Sequence, residues 1–230
     1  MSVASEIPSP HLGSKRGEDI TEITVGFKIQ ALANTCYTTC IFNVLKNLAS
    51  SHDSPAIGLP EHQVNKLCSY KENFGPKLAI VVPKLNRELR QLGYAVRERS
   101  PTTYDAMLKV LEDQESSYPV IGLCYQYLLD HNAAEPLDIP SPPDHTVIVL
   151  SSSSTETVIF DTFDARIRNA QGNPDRIGKG LYVIPTTKLM EYWEKASFTS
   201  WMFWVRKESK ERIRTLRLEK YGLGAKEAGS

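Results

Sequence analysis

The sequence predicts an α+β fold, with an N-terminal helical half packed on a C-terminal, mainly antiparallel sheet. Three observations predict it. Apolar residues recur at helical spacing from Cys36 to about Gln114. From Tyr118 onward the chain turns to β-branched and aromatic runs bounded by Ser, Pro and Asp. Finally, 230 residues, 41% apolar and 23% charged, suffice for one sizeable soluble domain.

The elements follow in order. Residues 1–24 are rich in Ser, Pro, Gly and charge and read as a mobile leader, with ordered structure from Ile23–Phe27. A helix starts at Cys36, because Cys40, Ile41, Val44, Leu45 and Leu48 share one face and Asn34 and Thr35 are good caps. Leu59–Tyr70 is a second helix. Pro83–Gly93 is a third, opened by proline in its first turn and closed by glycine. Tyr94–Arg99 alternates as a strand, and Thr102–Gln114 is a helix with Asp105 in its first turn. Extended runs follow at Tyr118–Leu128, His145–Leu150 and Thr157–Phe163, the last two joined by the hairpin-like SSSSTE. Thr186–Ala196 is a capped helix and Ser200–Arg206 a buried strand; Trp193, Trp201, Phe203 and Trp204 read as core. Residues 207–230 form a charged helix and tail, read as a solvated face and, second, as a docking site for a protein partner.

Composition excludes some functions. Lys+Arg and Asp+Glu balance at 27 each, so no electrostatic case exists for nucleic acid or a membrane surface as partner. No run spans a bilayer and no export signal is present, so the four cysteines are expected as reduced thiols in a cytoplasmic protein. There is no internal repeat and no glycine-rich phosphate loop.

One set of residues can carry chemistry. A thiol attacks only as thiolate, and a helix N-terminus and an imidazole both favour that form. Cys36 stands at a helix start, whereas Cys40, Cys68 and Cys124 lie within apolar stretches. Of five histidines, His11 falls in the leader, His52 in a Ser-rich loop, and His62 and His131 in polar contexts; only His145 opens a buried strand. Asp161, sixteen residues on, ends the returning strand and can orient His145, with Asp144 and Asp164 as alternatives. Gln30, six residues before Cys36, can supply an amide to an oxyanion alongside the Cys36 N–H. Zinc on Cys36 and Cys40 is disfavoured, because the paired C-x₂-C spacing of structural sites is missing.

This order of Gln, Cys, His and Asp resembles the papain-like cysteine peptidases, and residues 25–206 look most like their C39-like branch, which trims bacteriocin leader peptides. The matching stretches are QALANTCYTTCIFNVLKNLA, VPKLNRELRQLGYAVRE, YPVIGLCY, DHTVIVLSSSSTETVIFDTF and LMEYWEKASFTSWMFWV. The resemblance implies a papain-like domain over 25–206 and a cysteine peptidase acting on a peptide or protein. It implies Cys36 as nucleophile, His145 as base and acid, Asp161 as orienter and Gln30 as oxyanion donor, without cofactor or metal. Acyl transfer or deamidation by the same triad, and peptide binding without catalysis, are the alternatives. Two departures stand out. Tyr37 occupies a position where the family has a small residue, so the cleft is expected to be narrowed, and the loop before His145 is long enough for a lid.

Overall fold

A computed structural model describes residues 16–30, 35–69, 78–131, 144–164 and 175–209. Among these residues run helices α1 (Ile20–Thr24), α2 (Cys36–Ser51), α3 (Glu61–Leu67), α4 (Leu78–Leu89), α5 (Tyr104–Glu112), α6 (Gln126–Asp130) and α7 (Thr186–Glu194). The strands are β1 (Tyr94–Arg99), β2 (Val120–Leu123), β3 (His145–Ser152), β4 (Glu156–Phe160), β5 (Arg176–Gly178), β6 (Leu181–Pro185) and β7 (Met202–Lys207). All seven join one sheet in the order β1-β7-β2-β3-β4-β6-β5, every pair antiparallel. The α+β class expected from the sequence is the one observed. No helix among the described residues is long and apolar enough to cross a membrane.

Burial explains the central elements. In α2 one face (Cys40, Ile41, Val44, Leu45, Leu48) is inaccessible to water, and Cys40 Sγ donates to the Thr146 carbonyl at 3.4 Å, tying helix to strand β3. In β3 every residue from His145 to Leu150 is buried, so the alternation of a half-exposed strand is missing and a continuous apolar run takes its place. Gly93, at φ 85°, ends the turn after α4 in the left-handed region that glycine reaches without strain. Gly180, at φ 73°, sits so close to Phe160 that a Cβ there would lie 2.6 Å from the ring.

Several expectations are corrected. Residues 16–24 do not belong to a leader: Arg16 lies 4.4 Å over the Tyr118 ring, donates to the carbonyls of Leu111, Val110 and Ser117, and Ile20 is fully buried. An aromatic face and three carbonyls repay the ordering of this polar stretch. Residues 1–15 and 210–230 lie outside the described residues, as do Asn34 and most of the loop before His145. α4 starts at Leu78, five residues before the expected proline, so Pro83 lies inside the helix. The run Tyr118–Leu128 is extended only to Leu123; thereafter Cys124, Tyr127, Leu128 and His131 repeat at i, i+3, i+4 and i+7, and α6 forms. α7 lacks the expected cap, because Pro185 holds the cap position and the Thr186 hydroxyl donates to the Ser153 carbonyl instead. Strands β5 and β6 were not anticipated.

Candidate active site

α2 places Cys36 as its first helical residue, at the positive end of a sixteen-residue dipole. Thr35 occupies the cap position, but the helix is closed by its carbonyl, which accepts from Thr39 N at 2.9 Å and Thr38 Oγ1 at 3.2 Å, and not by its side chain. Being first, Cys36 has no carbonyl four residues back within the helix for its own N–H. Cys36 is half-buried, whereas Cys40, Cys68 and Cys124 are buried.

His145, 3% exposed, enters β3 beside this helix end, close enough for its ring to act on the Cys36 thiol. Its Nε2 meets Asp161 Oδ1 at 2.7 Å. With Nε2 held there, Nδ1 is the nitrogen left for the thiol. Asp161 is completely buried and has two further donors: Tyr127 Oη to Oδ2 at 2.6 Å, and Phe163 N to Oδ1 at 2.8 Å. The two alternative carboxylates are engaged elsewhere. Asp144 accepts from Ser197 N and Oγ, and Asp164 from Arg176 and Tyr182.

Gln30 is 4% exposed and pinned to the residue after Asp161. Its N–H donates to the Thr162 carbonyl at 2.8 Å, and its Oε1 accepts from Thr162 Oγ1 at 2.7 Å. The amide oxygen is thereby fixed. The segment carrying Gln30 is held to α2 by Asn43, whose Oδ1 accepts from Lys28 N at 2.8 Å and whose Nδ2 donates to Lys28 O at 2.9 Å. Asn43 lies seven residues after Cys36, on the same face of the helix.

The protonation pattern follows from these contacts. Burial pushes the Cys36 thiol up, but the hydrogen bond to His145 and the charge of that ring outweigh it, leaving the thiol below its ordinary value. Burial pulls the His145 imidazole down, while the charge and hydrogen bond of Asp161, then Cys36, push it up to about 10. Burial likewise pushes Asp161 up, and His145 and Tyr127 hold it below the ordinary carboxylate value. The ionised forms of the thiol and the imidazole stabilise each other. Cys40 and Cys68 go the opposite way, the first well above its ordinary value and the second to about 12, both chiefly through burial. Among the described residues no group of three or more His, Cys, Asp or Glu side chains is arranged to hold a metal ion.

No family model matches the chain, and no curated protein matches it. Among solved structures the chain is similar to a double glycine motif protease from an AMS/PCAT transporter in complex with the leader peptide. That pair is 14% identical over 78% of this chain and 89% of the other, with a TM-score of 0.42. It is also similar to the peptidase domain of Streptococcus ComA, a bifunctional ABC transporter involved in a quorum sensing pathway. There the identity is 12% over 79% of this chain and 99% of the other, with a TM-score of 0.43.

Tyr37, expected to narrow the cleft, packs into the core instead. It is 4% exposed and turns under α2, with its ring centroid 5.5 Å from that of Trp201 and 6.2 Å from that of Phe203. His131, expected in a polar setting, is 5% exposed with its ring 4.4 Å from Tyr127. Sequence reasoning missed Tyr127, Phe163 and Asn43 as neighbours of the site. Tyr127 and Asp161 are 34 residues apart on elements with no shared periodicity, so no local pattern joins them. Asn43, a polar residue on the apolar face of α2, is the one that carried a usable signal.

Proposed function

We propose that this protein is a cysteine peptidase that cleaves a peptide or closely related amide bond in a peptide or protein substrate, with no cofactor. The observation that carries the reading is the thiol of Cys36 at a helix start, held below its ordinary value by a histidine whose Nε2 lies 2.7 Å from a buried carboxylate. That arrangement favours the thiolate over the thiol.

In this reading the Cys36 thiolate attacks the carbonyl carbon, forming a C–S bond and moving the carbonyl π electrons onto oxygen. The Cys36 N–H and the Gln30 amide donate to that oxyanion. The intermediate collapses, the C–N bond breaks, and the amine leaves with the proton from His145. His145 then takes a proton from water, whose hydroxide attacks the thioester. The acid departs and the thiolate–imidazolium pair is restored. Asp161 keeps Nδ1 directed at sulfur throughout.

Proteome-wide profiling of new N-termini, comparing the wild-type protein with Cys36→Ala, tests this. Cleavage products that appear only with the wild type support peptidase activity. Termini produced equally by both proteins, or labelling by a thiol-reactive peptide probe that moves to Cys40 or Cys68, overturn the assignment.

A further inference from the structure

Asp161 Oδ1 receives two donors, His145 Nε2 and Phe163 N, whereas Oδ2 receives the Tyr127 hydroxyl. A carboxylate held at one oxygen alone can turn about its Cβ–Cγ bond; held at both, it cannot. The Tyr127 ring also lies parallel to the His145 ring, with centroids 5.7 Å apart and planes within 5°. An aromatic face at that distance favours an imidazolium over a neutral imidazole. Phe163 covers the histidine from another side, 5.7 Å away and tilted by 56°. The same tyrosine therefore touches both the carboxylate and the base, through its hydroxyl and its ring.

Tyr127 is itself braced. His131 Nδ1 lies 2.8 Å from the Tyr127 carbonyl, the edge of Tyr192 packs against the Tyr127 ring, and the Tyr192 hydroxyl donates to Asp130. α6 is thus locked to α7, and its tyrosine is aimed at the site. A tyrosine that merely filled space would need none of this alignment.

We propose that Tyr127 is a positioning residue: its hydroxyl fixes the rotation of Asp161, and its ring fixes the plane of His145, so that Nδ1 stays directed at Cys36. This rests on reading Cys36, His145 and Asp161 as one reacting set.

The experiment follows alkylation of Cys36 by iodoacetamide across pH, with the modified residue identified by mass, in the wild type, Tyr127→Phe, Asp161→Asn and the double variant. This readout needs no substrate. Fast wild-type alkylation below the ordinary thiol range tests the thiolate–imidazolium pair alone; a thiol that ionises only near its ordinary value sinks the catalytic reading itself. Given that pair, Tyr127→Phe removes one of three donors from a buried anion, and every step that adds negative charge there becomes harder. The thiolate limb should move to higher pH by roughly half a unit or more. With Asp161 already replaced, Tyr127→Phe should add nothing further, since it acts through that carboxylate. Turnover by Tyr127→Phe should fall about tenfold, with KM within about twofold of wild type. A Tyr127→Phe profile that overlays the wild-type profile overturns the proposal and leaves the catalytic reading standing. Should Tyr127→Phe fail to fold, the wild-type protein decides. With tyrosine labelled at 13Cζ, the Tyr127 resonance should move when Cys36 is alkylated at neutral pH, and a resonance that stays in place overturns the proposal.

Discussion

His145 and Asp161 are diagonal partners across the β3–β4 ladder. The register pairs Ile148 with Phe160 and Val149 with Ile159, so Asp161 falls opposite Val147, two residues from His145 and on the same face. A diagonal separation of about 7–8 Å between side-chain origins requires a long bridge. The far nitrogen of the ring, Nε2, makes that bridge at 2.7 Å, and the near nitrogen, Nδ1, is left for the thiol.

Asp161→Asn keeps the shape and removes the charge. The largest force raising His145 to about 10 is then gone, so the alkaline limb of turnover should move to lower pH. Loss of a charge-assisted hydrogen bond should cost about ten- to hundredfold in kcat. Initial rates across pH check both numbers; an alkaline limb that does not move would exclude Asp161 as the partner of His145.

Thermal stability carries a second signature of the pair. Between the ordinary values of 6.5 for histidine and 9.0 for cysteine, the unfolded chain holds one proton, on Cys36. In the proposed thiolate–imidazolium pair the folded protein also holds one, on His145. With equal proton counts, these two groups give stability no slope with pH in that window. Above 9.0 the unfolded thiol ionises while His145 keeps its proton to about 10, so stability falls. In Cys36→Ala only the histidine remains, raised by Asp161, so its contribution should decline from about 6.5 upward. Differential scanning calorimetry should show the Tm of Cys36→Ala sinking relative to wild type between those values; parallel curves would mean that Cys36 and His145 are not ionised together.

Gln30→Ala separates oxyanion stabilisation from nucleophile activation. Displacement of iodide from iodoacetamide creates no oxyanion, so alkylation of Cys36 should be unchanged. Peptide turnover should fall by about 10²–10³. Equal losses in both assays would assign Gln30 to holding the site together rather than to the oxyanion.

Tyr37→Phe should leave turnover intact and leave stability unchanged or raised by up to about 1 kcal/mol. The Tyr37 hydroxyl is buried with no hydrogen-bond partner among the described residues, so its removal relieves a desolvation cost while the ring contacts with Trp201 and Phe203 remain. Chemical denaturation measures this, and a clear loss of stability would reveal a partner for that hydroxyl.

Legibility in the sequence followed the range of the interactions. The start of α2 at Cys36 was readable because a helix face repeats within a few residues. The juxtaposition of His145 and Asp161 was readable because a hairpin brings nearby residues together. Tyr127 was not readable: its neighbours could form a strand or a helix on periodicity alone, and packing of Tyr127, Leu128 and His131 decided for the helix. The direction of Tyr37 was missed for a related reason. A large residue beside the nucleophile suggests obstruction until the cavity that receives it, formed by Trp201 and Phe203, is known. Arg16 shows the limit most plainly, since its anchoring carbonyls lie more than ninety positions away in the chain.

Asn43 gives α2 a second duty. The helix carries Cys36 at its tip and, two turns along, grips the backbone of Lys28, two residues before Gln30. The proposed electron-pair donor and one proposed cradle for the displaced electrons are therefore tied to the same rod, while the proposed proton carrier and its companion ride on the sheet. The seam between rod and sheet, where Cys40 meets Thr146 and Gln30 meets Thr162, sets how these four groups stand to one another.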